Sequence, residues 1–203
     1  MTATRFARWG TTRAVLSAGL ALAFIAGCDN PAKPKEGAGD PENISRVTLT
    51  LVPGGGGTTV TSFRVDPDGT QLPQPVGAAQ GTLALSKGKT YAGTIVLLND
   101  IDPNNVINIS NEVENESDFH RFFYSFSGCT GVANPDPASF DTDSQNPAQP
   151  LGLTFVVVVP AGAATTTSCT LHVELHHFES AKGDGLGSTF DTDLSLDFPV
   201  SIS

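Results

Sequence analysis

The chain has 203 residues, 11 Lys+Arg against 21 Asp+Glu, a formal charge of −10 and three cysteines. Such an acidic balance excludes nucleic-acid binding through phosphate contacts, which need a basic face. It favours solubility and the attraction of cations, and the length suits one domain with a real core.

At the N-terminus, Arg5, Arg8 and Arg13 precede an uncharged run over 14–26 that carries Leu16, Leu20, Leu22, Phe24 and Ile25. A positive start followed by about 7–15 apolar residues is the pattern of a secretory signal peptide. A membrane-spanning helix would need about 20. The run ends in Ile25-Ala26-Gly27-Cys28, which resembles the bacterial lipobox. That resemblance implies that residues 1–27 are a cleaved signal and that the thiol of Cys28 carries a lipid. The exported protein would then be held at a membrane by acyl chains, each CH₂ contributing about 0.8 kcal/mol. Loss of residues 1–27 removes three Arg and no acid, leaving 8 Lys+Arg against 21 Asp+Glu and a formal charge of −13. Asp29 is an inner-membrane retention signal in some bacteria, although sorting rules differ between groups.

Residues 29–43 (DNPAKPKEGAGDPEN) are rich in Pro, Gly, Ala and charge. They cannot bury a core, so 28–43 reads as a flexible tether and 44–203 as the folded domain. From 44 to 52 the pattern alternates, with Val47, Leu49 and Leu51 on one side. Gly54 to Gly57 predicts a turn, and 58–65 returns as a strand, making a hairpin. Asp66-Pro67-Asp68-Gly69 is turn chemistry. Further strands are predicted at 82–86, 90–98, 119–127, 153–160, 168–178 and 192–202. The run Phe155-Val156-Val157-Val158-Val159 lacks alternation and predicts a strand covered on both faces. Only 107–117 reads as helical. Many short strands between Gly/Pro/Asp turns predict an all-β fold, an antiparallel β-sandwich of immunoglobulin-like or jelly-roll type with one short acidic helix.

Beyond Cys28 two cysteines remain, Cys129 and Cys169. An oxidising exported setting predicts a disulfide between them.

The four histidines fall in two clusters. In the first, Glu112, Glu116 and His120 are spaced by four. On a helix reaching His120 they would share one face, within reach of one cation. If the strand starts earlier, His120 shares a face with Phe122, Tyr124 and Phe126. In the second, a strand puts His172, Glu174 and His176 on one face and His177 on the core side. Imidazole with carboxylate suits Zn²⁺ or another transition metal such as Cu²⁺ or Ni²⁺. Alternating polar and apolar residues are also what any solvent-facing sheet shows. Asp141-Thr142-Asp143-Ser144-Gln145 lacks the Gly and the twelfth-position Glu of a Ca²⁺ loop and reads as a turn. No G-x-S-x-G nucleophile elbow occurs, and no other catalytic set emerges, so the chain reads as non-enzymatic. Phe-Asp-Thr-Asp occurs twice, at 140–143 and 190–193, too short a match to mean duplication.

Several pieces together resemble a family of Bacteroidetes-type lipoproteins. They are Cys28-Asp29, Val47-Thr48-Leu49-Thr50, Gly88-Lys89-Thr90-Tyr91 leading into Ile95-Val96-Leu97-Leu98-Asn99, and the segment from Asn111 to Tyr124 with its acidic stretch, His120, Phe122, Phe123 and Tyr124. Pro150-Leu151-Gly152-Leu153, Leu175-His176-His177 and Thr192-Asp193 also fit. Proteins of this type often carry the label "type 1 periplasmic binding fold superfamily protein". The label implies an α/β fold, whereas the strand pattern here predicts all-β. Members are associated with TonB-dependent outer-membrane receptors, so the resemblance implies an outer-membrane location and an accessory role in uptake. Carried over by position, it points to Glu112, Glu116, His120 and His177, and does not extend to His172 and His176. The leading expectation is a lipid-anchored metal binder. The alternative is a structural or adhesive surface module for a protein or glycan.

Overall fold

The computed structural model describes residues 43–66, 77–182 and 189–203. The expected signal, Cys28, the tether up to residue 42 and positions 67–69 of the expected turn lie outside the described residues.

The described chain builds nine strands: β1 (Arg46–Pro53), β2 (Val60–Val65), β3 (Leu83–Leu85), β4 (Lys89–Asn99), β5 (Ile107–Asn108), β6 (His120–Ser127), β7 (Thr154–Val159), β8 (Thr166–Phe178) and β9 (Phe190–Ile202), with one helix, α1 (Ile109–Asn115). One sheet runs β2-β1-β4-β5, with β7 also paired to β4; the other runs β3-β9-β8-β6. Alternation explains the strands. In β1, Val47, Leu49 and Leu51 are buried while Thr48 and Thr50 are partly exposed, so one face meets the core and the other meets water. The β1–β2 hairpin closes through Gly55 and Gly56 at φ 75° and 89°, a left-handed region open to Gly at little cost.

The two sheets pack face to face. Phe155 on β7 stacks on Tyr124 of β6 with ring centroids 4.0 Å apart, and the Tyr124 hydroxyl donates to the buried Gly152 carbonyl at 2.6 Å. Leu49, Leu97, Phe122, Leu171, Val173, Leu175, Leu194 and Phe198 are fully buried between them. Cys129 and Cys169 form a disulfide that spans 40 residues of chain. The all-β sandwich and this bond are as expected from the sequence.

Three details differ from expectation. β7 is not covered on both faces. Among the described residues it pairs only with β4, its burial alternates, and Val158 is 53% exposed. A run of Val suits the pleat of an edge strand equally well, because β-branching favours strands wherever they lie. Second, β3 pairs with β9 in parallel, so the sheets are not wholly antiparallel. Gln80 first bridges to Phe63 of β2, and the chain then crosses to the other sheet already running with β9. Third, the helix is shorter than predicted. Asn108 caps it, its side chain accepting from the Ser110 amide at 3.1 Å, as N-cap residues do. The residue before α1 already belongs to β5, which pairs with the end of β4. After Glu116 a turn leads into β6 at His120.

Candidate metal centre

His120 opens β6 and sits opposite His177, near the end of β8, in the antiparallel register of these strands. Both face the core side, as do Phe122 and Leu175 one step further in. The imidazole rings lie 4.3 Å apart. The turn from α1 to β6 folds Glu116 over the same end of the sheet. One ligand atom each from Glu116, His120 and His177 lie within 4.8 Å of one another. His120 is fully buried, His177 is buried and Glu116 is partly exposed, so the group opens to solvent on the Glu116 side. Nδ1 of His120 donates to the Glu116 carbonyl at 3.2 Å. A carbonyl only accepts, so Nδ1 carries a proton in this contact. A second nitrogen held by a backbone carbonyl is the usual support of a metal-binding imidazole.

Glu112 is not part of this group. Because α1 ends at Asn115, no continuous helix carries Glu112, Glu116 and His120 on one face; a turn separates Glu116 from His120. His172 and His176 lie on the opposite side of the sheet. They stand outside the group of Glu116, His120 and His177. Each instead reaches the carboxylate between them: His172 Nε2 is 3.2 Å from Glu174 Oε1, and His176 Nε2 is 3.2 Å from Glu174 Oε2. His172 also meets Asp197 through Nδ1 at 2.8 Å. Burial opposes the charged form of His172, but the contacts to Asp197 and Glu174 outweigh it and raise its pKa. For His176, burial prevails over Glu174 and lowers the pKa. Glu174 is partly buried, yet hydrogen bonds from the two imidazoles hold its carboxyl below the ordinary value. His176 is also packed between rings, stacked on Phe190 at 3.9 Å and near Phe123 at 4.5 Å. These contacts make the outer histidines part of an ion-paired, aromatic-lined surface. An open groove of about 310 Å³ runs beside them, lined by Arg121, Phe123, Ser125 and Glu174 among others.

Two buried charged groups near the inner histidines escaped the sequence reading. Asp193 on β9 is 1% exposed, and its Oδ2 lies 3.7 Å from His120 Nε2 and 3.8 Å from His177 Nδ1. Lys182, past the end of β8, is fully buried and pairs with Asp143 at 2.8 Å. Its Nζ also donates to the Ser117 carbonyl, and its amide donates to the Asp118 carbonyl at 2.8 Å. Lys182 thus fastens the turn that carries Glu116 to the loop that carries Asp143. Burial lowers the Lys182 pKa against the pull of Asp143. Burial works against the Asp143 carboxylate too, but hydrogen bonds from the Gln149 amide, Lys182 and the Gln145 amide prevail and lower its pKa. Asp143 and Asp193 are the last residues of the repeated Phe-Asp-Thr-Asp tetrads. Compared with known proteins, the chain matches no family model, no curated protein and no solved structure.

Proposed function

We propose that this chain is a lipid-anchored, non-enzymatic protein of the bacterial envelope that binds a transition-metal ion as an accessory to outer-membrane uptake. The observation that carries the metal reading is the meeting of Glu116, His120 and His177 within 4.8 Å, from segments far apart in sequence. Two imidazoles and a carboxylate are borderline ligands suited to Zn²⁺, Cu²⁺ or Ni²⁺. The acidic surface draws cations toward the domain. The lipobox-like segment before Cys28 supports the anchor, and the resemblance to lipoproteins of TonB-dependent systems supports the uptake role.

Calorimetry with Zn²⁺ and Cu²⁺ on the chain lacking residues 1–28 tests the metal reading. Stoichiometric binding is expected, weakening on acidification because imidazole ligates only when neutral. Affinity no tighter than about 100 μM, or binding unchanged in His120→Ala and His177→Ala, refutes it. Labelling with palmitate in a bacterial host tests the anchor; incorporation that persists in Cys28→Ser rules it out.

A further inference from the structure

We infer that the loop 100–107, at the end of the sandwich where the chain enters it, rests in the lipid surface that holds the anchor. The inference depends on the proposed lipid at Cys28 and adds to it the orientation of the domain.

Hydrogen bonds define the two ends of the sandwich. The Lys87 amide donates to the Ser203 carbonyl, and the Gly88 amide donates to the Val159 carbonyl. These bonds gather the start of β4 with the ends of β3, β7 and β9. From there β4 runs away toward Asn99, and β9 arrives from Phe190, so Asn99 and Phe190 mark the opposite end. Arg46, the first residue of β1, pairs with Leu98, so the chain enters the sandwich at that opposite end. His120 and His177 lie there too, because His177 pairs with Asp191.

The loop 100–107 projects from the same end. Asn99 pairs with Ile107 and closes it. Every residue from Ile101 to Asn108 is exposed, and Ile101, Val106 and Ile107 are 42%, 52% and 38% exposed. Apolar side chains gathered on a polar rim mark an interaction surface. The base of the loop is fastened to the entering chain. Asp100 Oδ2 accepts from Arg46 Nε at 2.5 Å, and Oδ1 accepts from Ser45 Oγ at 2.6 Å. The Asp100 amide donates back to Ser45 Oγ at 2.7 Å. Asp100 is thus neutralised by Arg46. Asp102 accepts from the Asn104 amide at 2.9 Å and suits the depth of polar headgroups.

Covalent continuity favours lipid as the occupant. Residues 29–42 join Cys28 to the entry point. A linker of that Pro-, Gly- and Ala-rich composition has a root-mean-square span of roughly 20 Å. β8 and β9 have 13 residues each, which makes the sandwich about 40 Å long. A lipid on Cys28 therefore keeps the entry end near the bilayer and the other end away from it. The loop meets the lipid at high effective concentration, and its apolar side chains act as a second signal beside the acyl chains. Val52 and Val158, also exposed, lie nearer the far end, opposite Ala92 and Thr90 of β4.

Tryptophan placement tests the orientation. The chain has one Trp, Trp9, inside the expected signal, so emission is read against the parent protein. The full chain is expressed in a bacterial host, purified in detergent and reconstituted into phosphatidylcholine vesicles. Half of the preparations carry bromine on the acyl chains near the headgroup. Interfacial segments sit about 5–10 Å deep, so Val106→Trp and Ile101→Trp should each lose about half of their emission to bromine, and Val158→Trp under about a tenth. Protein that floats with the vesicles while both loop tryptophans stay unquenched would overturn the inference and leave the anchor standing. Equal quenching of Val158→Trp would overturn it as well, since the preference of Trp for lipid would then explain the signal. Protein that does not float with the vesicles would remove the anchor and this orientation together.

Discussion

Replacing Lys182 by Met should destabilise the domain far more than a surface change would. The pair with Asp143 is fully buried, with both side chains at 0% exposure and 2.8 Å between Nζ and Oδ2. Met fills similar volume but leaves the Asp143 carboxylate without its cation, and the Ser117 carbonyl loses a donor. Removing one partner of a buried pair costs about 3–5 kcal/mol, because an uncompensated charge remains. For a domain of this size each kcal/mol lowers the melting temperature by about 2–4 °C, so Lys182→Met should fall by about 6–20 °C. The double variant Lys182→Met/Asp143→Asn should recover more than half of the loss. Asn can still accept from the Gln149 and Gln145 amides that now reach Asp143 at 2.7 and 3.1 Å, and no buried charge is left. Circular dichroism melts in chelator, with the disulfide intact, read both variants. A drop under about 2 °C for the single variant, or a double variant no better than the single, would refute the view that this pair fastens the loops around the site.

Other outcomes follow from the same geometry. Glu112→Ala, His172→Ala and His176→Ala should leave Zn²⁺ affinity within about twofold, since the structure keeps these residues out of the inner group; a larger loss in calorimetry would place them in it. Opening the disulfide by Cys129→Ser/Cys169→Ser frees a loop of 40 residues and should cost about 2–4 kcal/mol, measured by urea unfolding. The outer histidines should act with opposite sign on pH-dependent stability. Folding raises the pKa of His172, so its contribution is full below the unfolded value and is lost as pH rises through the folded one. Folding lowers the pKa of His176, so its effect erodes stability as pH falls through the unfolded value near 6.5. Denaturation between pH 5 and 8.5 should therefore show His172→Gln losing most relative to wild type at the acid end and His176→Gln losing least there. The same slope for both variants would contradict the assignment.

Local pattern was enough to place the strands. Alternation in 44–52 and 192–202 follows from side chains pointing to opposite faces of a pleat, a property of each strand alone. Parity along β8 likewise put His177 on the core side and His172 and His176 on the other. Alternation could not tell whether the Val run of β7 lay at the centre or the edge, because that depends on which strands flank it. It also could not give the meeting of Glu116 and His120 with His177, which needs β6 and β8 to pair in one register.

Asp193 marks the limit most clearly. Period two assigns it to solvent, and only the extra residue in the pairing of β8 with β9 turns it inward. The sequence by itself determined an all-β chain with its imidazoles and carboxylates gathered in two clusters. Tertiary structure decided which of them share a buried space, because strand order, register and bulges arise from contacts between segments that no local pattern encodes.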